Sequence, residues 1–80
     1  MYYVYVIRSS STGRHYVGSS GDWEERLRRH NLGMVRSTKA YRPWEVVHIE
    51  AFPDRTAARK RELQIKRYKG GEALARLISR

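Results

Sequence analysis

At 80 residues the chain makes a single domain, near the lower size at which a core can be buried without help from disulfides or metals. It holds no cysteine, which excludes disulfides, thiolate metal sites and a Cys nucleophile, and 40% apolar residues with two prolines and six glycines argue against disorder. Seventeen Lys and Arg against eight Asp and Glu leave a net charge of +9, so the expected partner is a polyanion, most commonly nucleic acid.

Residues 1–8 (M-Y-Y-V-Y-V-I-R) are dense in aromatic and β-branched side chains and predict a strand. Tyr3, Tyr5 and Ile7 would share one face, with Tyr2, Val4 and Val6 on the other. A turn over 9–13 (S-S-S-T-G) leads into a second strand over 14–19, and the resulting hairpin brings Tyr5 near Tyr16. Residues 22–31 predict a helix closed by Leu32-Gly33, with Gly33 as a left-handed C-cap. The stretch 34–43 (M-V-R-S-T-K-A-Y-R-P) has no apolar period and reads as a basic loop, Pro43 keeping Arg42 out of helix.

A third strand is expected over 44–51 (W-E-V-V-H-I-E-A), and Asp54 caps the longest helix, which runs to about Lys69. Gly70-Gly71 break that helix, and 72–79 form a last short one with Leu74, Leu77 and Ile78 able to pack. The order β-β-α-β-α-α predicts an α/β (α+β) sandwich, a small three-stranded antiparallel sheet flanked by helices. With no long apolar run, no signal-peptide pattern and no wide apolar face beside a basic one, the expectation is a soluble cytoplasmic protein without a membrane partner.

The first helix carries an odd placement. Asp22 is its N-cap and Glu25 stands three residues on, a D-x-x-E form of the capping box. Counting about 100° per residue from Trp23, Leu27 lies about 40° to one side, and His30 and Arg26 about 20° and 60° to the other. A guanidinium and an imidazole thus stand one turn apart at the edge of the stripe that must pack on the core.

The second odd placement is Glu62, the only acid between Asp54 and Glu72 on a helix crowded with seven basic residues. It lies about 40° from Ala58, at the border of the apolar stripe. One reading is a helix salt bridge to Lys66 or Arg59, worth a few tenths of a kcal/mol. The other is a divalent-cation site, because Mg²⁺ takes one or two protein carboxylates and fills its shell with water and phosphate.

Tyr3-Val4-Tyr5, Tyr16-Val17-Gly18, Arg26 with His30, and Glu62 follow one another with H-N-x-G at 30–33, S-T-K at 37–39 and R-P at 42–43. In this order and spacing the chain resembles the GIY-YIG nuclease family over essentially its whole length. It is most similar to the small stand-alone bacterial members, which are excinuclease-like in resembling the N-terminal nuclease domain of that repair enzyme. The resemblance implies hydrolysis of a DNA phosphodiester, with DNA repair or processing as the setting the family suggests. It implies that Tyr5 and Tyr16 face the scissile phosphate, that Arg26 stabilises the developing phosphorane charge, and that His30 assists by proton transfer or phosphate contact. Glu62 would hold the one cofactor expected, a single Mg²⁺ or Mn²⁺ ion, with no small-molecule cofactor. Two departures stand out: Tyr3 replaces the first glycine of the motif, and Ser19 stands where some members carry lysine. Asn31 is the only asparagine, so none is found late in the chain, where some members have one.

DNA contacts are expected from Arg36, Lys39 and Arg42 of the loop and from Arg59, Lys66 and Lys69 of the long helix, giving weak, salt-sensitive binding. A phenol ionises near pH 10, so pulling a tyrosine base to about 7 requires roughly 4 kcal/mol, for which Arg26 and a metal are the available sources. Tyr16 is preferred over Tyr5 as base, and a metal-bound hydroxide is the alternative. His15, His48 and Trp44 read as packing or surface residues. Two other classes compete: a non-catalytic nucleic-acid-binding module with the same fold, and a domain whose basic surface meets an acidic protein. The pattern carries no signal for oligomeric state.

Overall fold

Strand β1 (Tyr2–Ser9) pairs antiparallel with β2 (His15–Ser20) on one side and with β3 (Trp44–Phe52) on the other, giving the sheet order β2-β1-β3. The structure, a computed structural model, describes residues 1–68 and 71–79. Helices α1 (Trp23–Asn31), α2 (Arg55–Lys66) and α3 (Glu72–Ile78) complete the predicted order, and a 3-10 turn (Lys39–Tyr41) punctuates the basic loop. Helix α2 ends at Lys66, with Arg67 as C-cap, short of the predicted end. Lys69, at that end, lies outside the described residues.

The central strand is why residues 2–7 form an unbroken apolar run. Both faces of β1 are covered, so both must be apolar, and Val4, Tyr5, Val6 and Ile7 are each at most 1% exposed. On one face Val4 and Val6 join Val17, Ala58, Ile65 and Leu74 under α2 and α3. On the other, Tyr5, Ile7 and Trp44 meet Trp23 and Leu27 of α1 and Tyr41 of the loop.

Strand β3 does not keep a simple alternation. Val6 pairs with His48 but Ile7 pairs with Val46, so Val47 is an extra residue, a β-bulge. The bulge lets Trp44 and Val46 face α1 while Val47, His48 and Glu50 turn toward α2. There Glu50 accepts from Arg61 Nε (2.7 Å) and Nη2 (3.0 Å) and from His48 Nε2 (2.7 Å), clipping α2 to the strand. The Arg61 bonds hold the Glu50 carboxyl below the usual carboxylate range although burial opposes them.

Both predicted N-caps form. Asp22 accepts from the Glu25 backbone N–H at 3.1 Å and Asp54 from that of Ala57 at 2.9 Å. The reciprocal half of the capping box is not made, because the Glu25 carboxylate binds the Arg28 guanidinium through two 2.9 Å bonds instead. At the other end of α1, Gly33 adopts φ +79°, its N–H reaching His30 O and the Met34 N–H reaching Arg29 O. This is a Schellman closure, and it turns the chain back toward the sheet directly after His30.

Candidate active site

Residues from the hairpin, from α1 and from the basic loop converge on the Tyr5 face of the sheet. Tyr5 sits opposite Gly18 in the β1–β2 register, and its phenol lies over that glycine. A Cβ at position 18 would stand 2.6 Å from Tyr5 Cζ, so only glycine lets the ring reach inward. The Tyr5 hydroxyl meets His30 Nε2 at 3.1 Å, and the other ring nitrogen, Nδ1, lies 2.8 Å from Thr38 Oγ1. His30 and Thr38 are both buried, at 0% and 1% exposure.

Tyr16, half-buried on β2, turns its ring toward His30 with centroids 5.0 Å apart and toward Tyr5 at 6.5 Å. Arg26 projects from α1 into the same place, as the helical spacing predicted, with Trp23 and Leu27 anchoring the helix beside it. Arg26 Nε is buried without a hydrogen-bond partner among the described residues. An unsatisfied buried donor costs about 1–3 kcal/mol, and a charged one more.

The electrostatics follow from burial. The Tyr5 phenol is pushed above its ordinary value chiefly by desolvation; Arg26 opposes this, and the charges of Tyr16 and Glu62 add to the rise. The net effect corrects the expectation that Arg26 would leave this phenol acidified: in the protein alone, burial wins. Desolvation, helped by the Arg26 charge, pulls His30 down to about 4, so its imidazole is neutral at physiological pH.

Glu62 is placed differently from the other four. It is buried at 5% exposure on the α2 side of the sheet, where Ser19 Oγ donates to it at 2.6 Å and Lys66 Nζ approaches at 2.7 Å. Ser19 and Tyr16 alternate to opposite faces of β2, so the carboxylate reaches the site around the sheet's edge. Burial alone would raise its pKa; the bonds from Lys66 and Ser19, with the Arg59 charge, outweigh this and keep it ionised. The salt-bridge reading of Glu62 is therefore realised, with Lys66 as partner. Alongside this edge runs an open groove of about 490 Å³ lined by Arg14, Tyr16, Val17, Ile65, Lys66 and Leu74, among others.

The predicted DNA contacts fall on two layers. Arg36, Lys39 and Arg42 are exposed on the loop, where Arg42 Nε donates to Lys39 O at 2.8 Å and its guanidinium tucks against Gly33. Arg59 is exposed on α2 behind the sheet, and Lys66 is committed to Glu62. The acids pair with other cations, so Arg36, Lys39, Arg42 and Arg59 have no ion-pair partner among the described residues.

Several contributors were not assigned from sequence. Thr38 belongs to a loop with no period, and its contact with His30 spans a fold in the chain. Ser19 had registered only as a missing lysine, yet it is the hydrogen-bond donor to Glu62. Asn31 grips the Trp44 backbone, donating to its carbonyl at 3.0 Å and accepting from its N–H at 2.6 Å. Trp44 in turn donates its indole N–H to Thr38 O at 3.0 Å, which holds the loop against the site.

Comparison with known proteins places this arrangement in a family. The GIY-YIG catalytic domain matches residues 1–72. A UPF0213 protein of Haloquadratum walsbyi is 40% identical over 68 residues, covering 84% of this chain and 75% of that protein. One from Staphylococcus saprophyticus is 35% identical over 79 residues, covering 98% and 94%. The solution NMR structure of a UPF0213 protein from Bacillus halodurans superposes with a TM-score of 0.57 at 26% identity, covering 99% of this chain and 88% of that one. The paired tyrosines over Gly18, the Arg26–His30 helix and these likenesses agree, and the chain belongs to the GIY-YIG family, whose domains are in general nucleases that act on DNA.

Proposed function

We propose that this protein is a divalent-metal-dependent DNA endonuclease that hydrolyses phosphodiester bonds at the Tyr5–Tyr16–Arg26–His30 cluster. The observation that carries this reading is Arg26: a buried guanidinium with an unpartnered Nε, aimed among two phenols and a neutral imidazole. A phosphate oxygen is the ligand chemistry that satisfies such a donor, and charge developing on that phosphate during attack strengthens the contact.

The roles follow from the surroundings of each group. Tyr5 is buried and its phenol is held protonated, so it orients rather than deprotonates. Tyr16 is the half-buried phenol beside the edge groove, and it is the one we assign to accept the proton of an attacking water. Glu62 fits a lone Mg²⁺ or Mn²⁺ and nothing more elaborate, since no group of three or more His, Cys, Asp or Glu suited to a metal exists among the described residues. Each Glu62 oxygen carries one hydrogen-bonding partner and has a second lone pair free for an ion. When bound, such an ion would neutralise phosphate charge and acidify water. Arg36, Lys39, Arg42 and Arg59 would hold the flanking backbone, and no described helix is long and apolar enough to cross a membrane.

The test is nicking of supercoiled plasmid at low salt with Mg²⁺, Mn²⁺ or EDTA, beside Glu62→Ala, Arg26→Ala and Tyr16→Phe. Metal-dependent nicking lost in all three variants supports the assignment. DNA binding without nicking under any condition would replace it with a non-catalytic nucleic-acid module. Joint replacement of Arg36, Lys39 and Arg42 by Ala should weaken binding and flatten its salt dependence.

A further inference from the structure

We propose that Thr38 is a positioning residue that fixes His30 as the tautomer protonated on Nδ1, reserving Nε2 as the acceptor for the Tyr5 hydroxyl. Two ends of the hydrogen-bond chain require this direction independently. At the inner end, the Tyr5 hydroxyl is buried and His30 Nε2 is its hydrogen-bond partner among the described residues. Its other polar neighbour is the Arg26 guanidinium, which has donors and no acceptor. If Nε2 carried the proton, the Tyr5 O–H would be a buried donor with nowhere to go.

At the outer end, Thr38 Oγ1 lies 2.8 Å from His30 Nδ1 and 3.3 Å from the Val35 carbonyl. A carbonyl only accepts, so the single hydroxyl proton goes to Val35 and a lone pair is turned to Nδ1. A neutral imidazole has one N–H, and at physiological pH His30 is neutral. The chain therefore runs from Tyr5 O–H to His30 Nε2, and from Nδ1–H through Thr38 to Val35.

Thr38 is itself held in place. Its carbonyl accepts from the Trp44 indole, and its N–H bonds Val35 O at 3.1 Å. Trp44 is gripped by Asn31, next in sequence to His30, which closes a loop of contacts around the imidazole. The Tyr5 proton is thereby directed away from Arg26, leaving the phenol's lone pairs on the guanidinium side.

The tautomer is a property of the protein alone; its effect on turnover rests on the nuclease reading. The experiment is nitrogen-15 NMR of the histidine rings in wild type, Thr38→Val and Thr38→Ser, with His30→Gln identifying the signals. Wild type should show His30 with a protonated Nδ1 and an unprotonated Nε2. Thr38→Val removes the acceptor at nearly constant volume, and should shift the ring toward the Nε2–H form and lower kcat about ten- to a hundredfold with KM little changed. Thr38→Ser should restore both. An Nε2–H wild type, or an Nδ1–H ring that persists unchanged in Thr38→Val, overturns the proposal. A wild type with the expected ring that nicks no DNA overturns the nuclease reading and leaves the tautomer assignment standing.

Discussion

Tyr5 and Gly18 face each other across the first two strands so closely that the tyrosine occupies the space a side chain at 18 would need. The φ of Gly18 lies outside the left-handed region, so its requirement is steric. Gly18→Ala should destabilise the domain by about 1–3 kcal/mol in urea unfolding. In a Tyr5→Ala background the same change should cost much less, because the colliding ring is gone. Equal penalties in both backgrounds would mean the glycine serves something other than Tyr5.

Arg26 should behave oppositely for stability and for function. Its Nε has no partner, so Arg26→Met should leave the melting temperature unchanged or raise it. Nicking should fall by at least about a hundredfold, and Arg26→Lys should not rescue it, since an ammonium cannot reproduce the planar fork. A large drop in melting temperature would show that the guanidinium is structural.

His30 gives the fold an acid sensitivity with a defined window. Its folded-state value of about 4 lies below the ordinary 6.5, so the unfolded chain takes up a proton first as pH falls. The stabilisation is complete above pH 6.5 and is lost on descending toward 4, to the extent of roughly 3 kcal/mol. Unfolding free energy measured from about pH 7 to 4 should therefore fall in wild type and flatten in His30→Gln. Parallel slopes in the two proteins would assign the effect elsewhere.

Asn31 is exposed, yet Asn31→Ala should lower stability by about 1–2 kcal/mol, because its side chain makes two hydrogen bonds to the Trp44 backbone. Trp44 fluorescence should report the loosening. Asn31→Asp keeps the acceptor and loses the donor, and should fall between the two.

Local patterns made the element order and the inner faces readable. Strand propensity marked β1, Asp22 and Asp54 marked the helix starts, Gly33 marked a helix end, and the count of about 100° per residue put Arg26 and His30 beside the core stripe. What escaped depends on contacts between distant segments. The Val47 bulge leaves no trace in a run where Val46, Val47 and Ile49 are all apolar. Ser19 and Glu62 are 43 residues apart, and nothing in either neighbourhood announces the bond. His48 read as an ordinary residue because its partner Glu50 shares its face only once the strand is built and Arg61 closes over it. The Thr38 contact had a visible trace, the S-T-K run, but its role needed the imidazole in view.

The extra residue at Val47 also makes β3 a place where chain length is negotiable. On its Trp44 side the strand serves the catalytic face, and beyond it the strand answers to α2. Removing Val47 would leave Val46 and His48 already on the faces an uninterrupted ladder demands, with only the packing of one valine forfeited. A one-residue deletion there is thus the change of length this sheet absorbs most readily. One residue gained or lost within β1 would exchange its two faces and scatter the site.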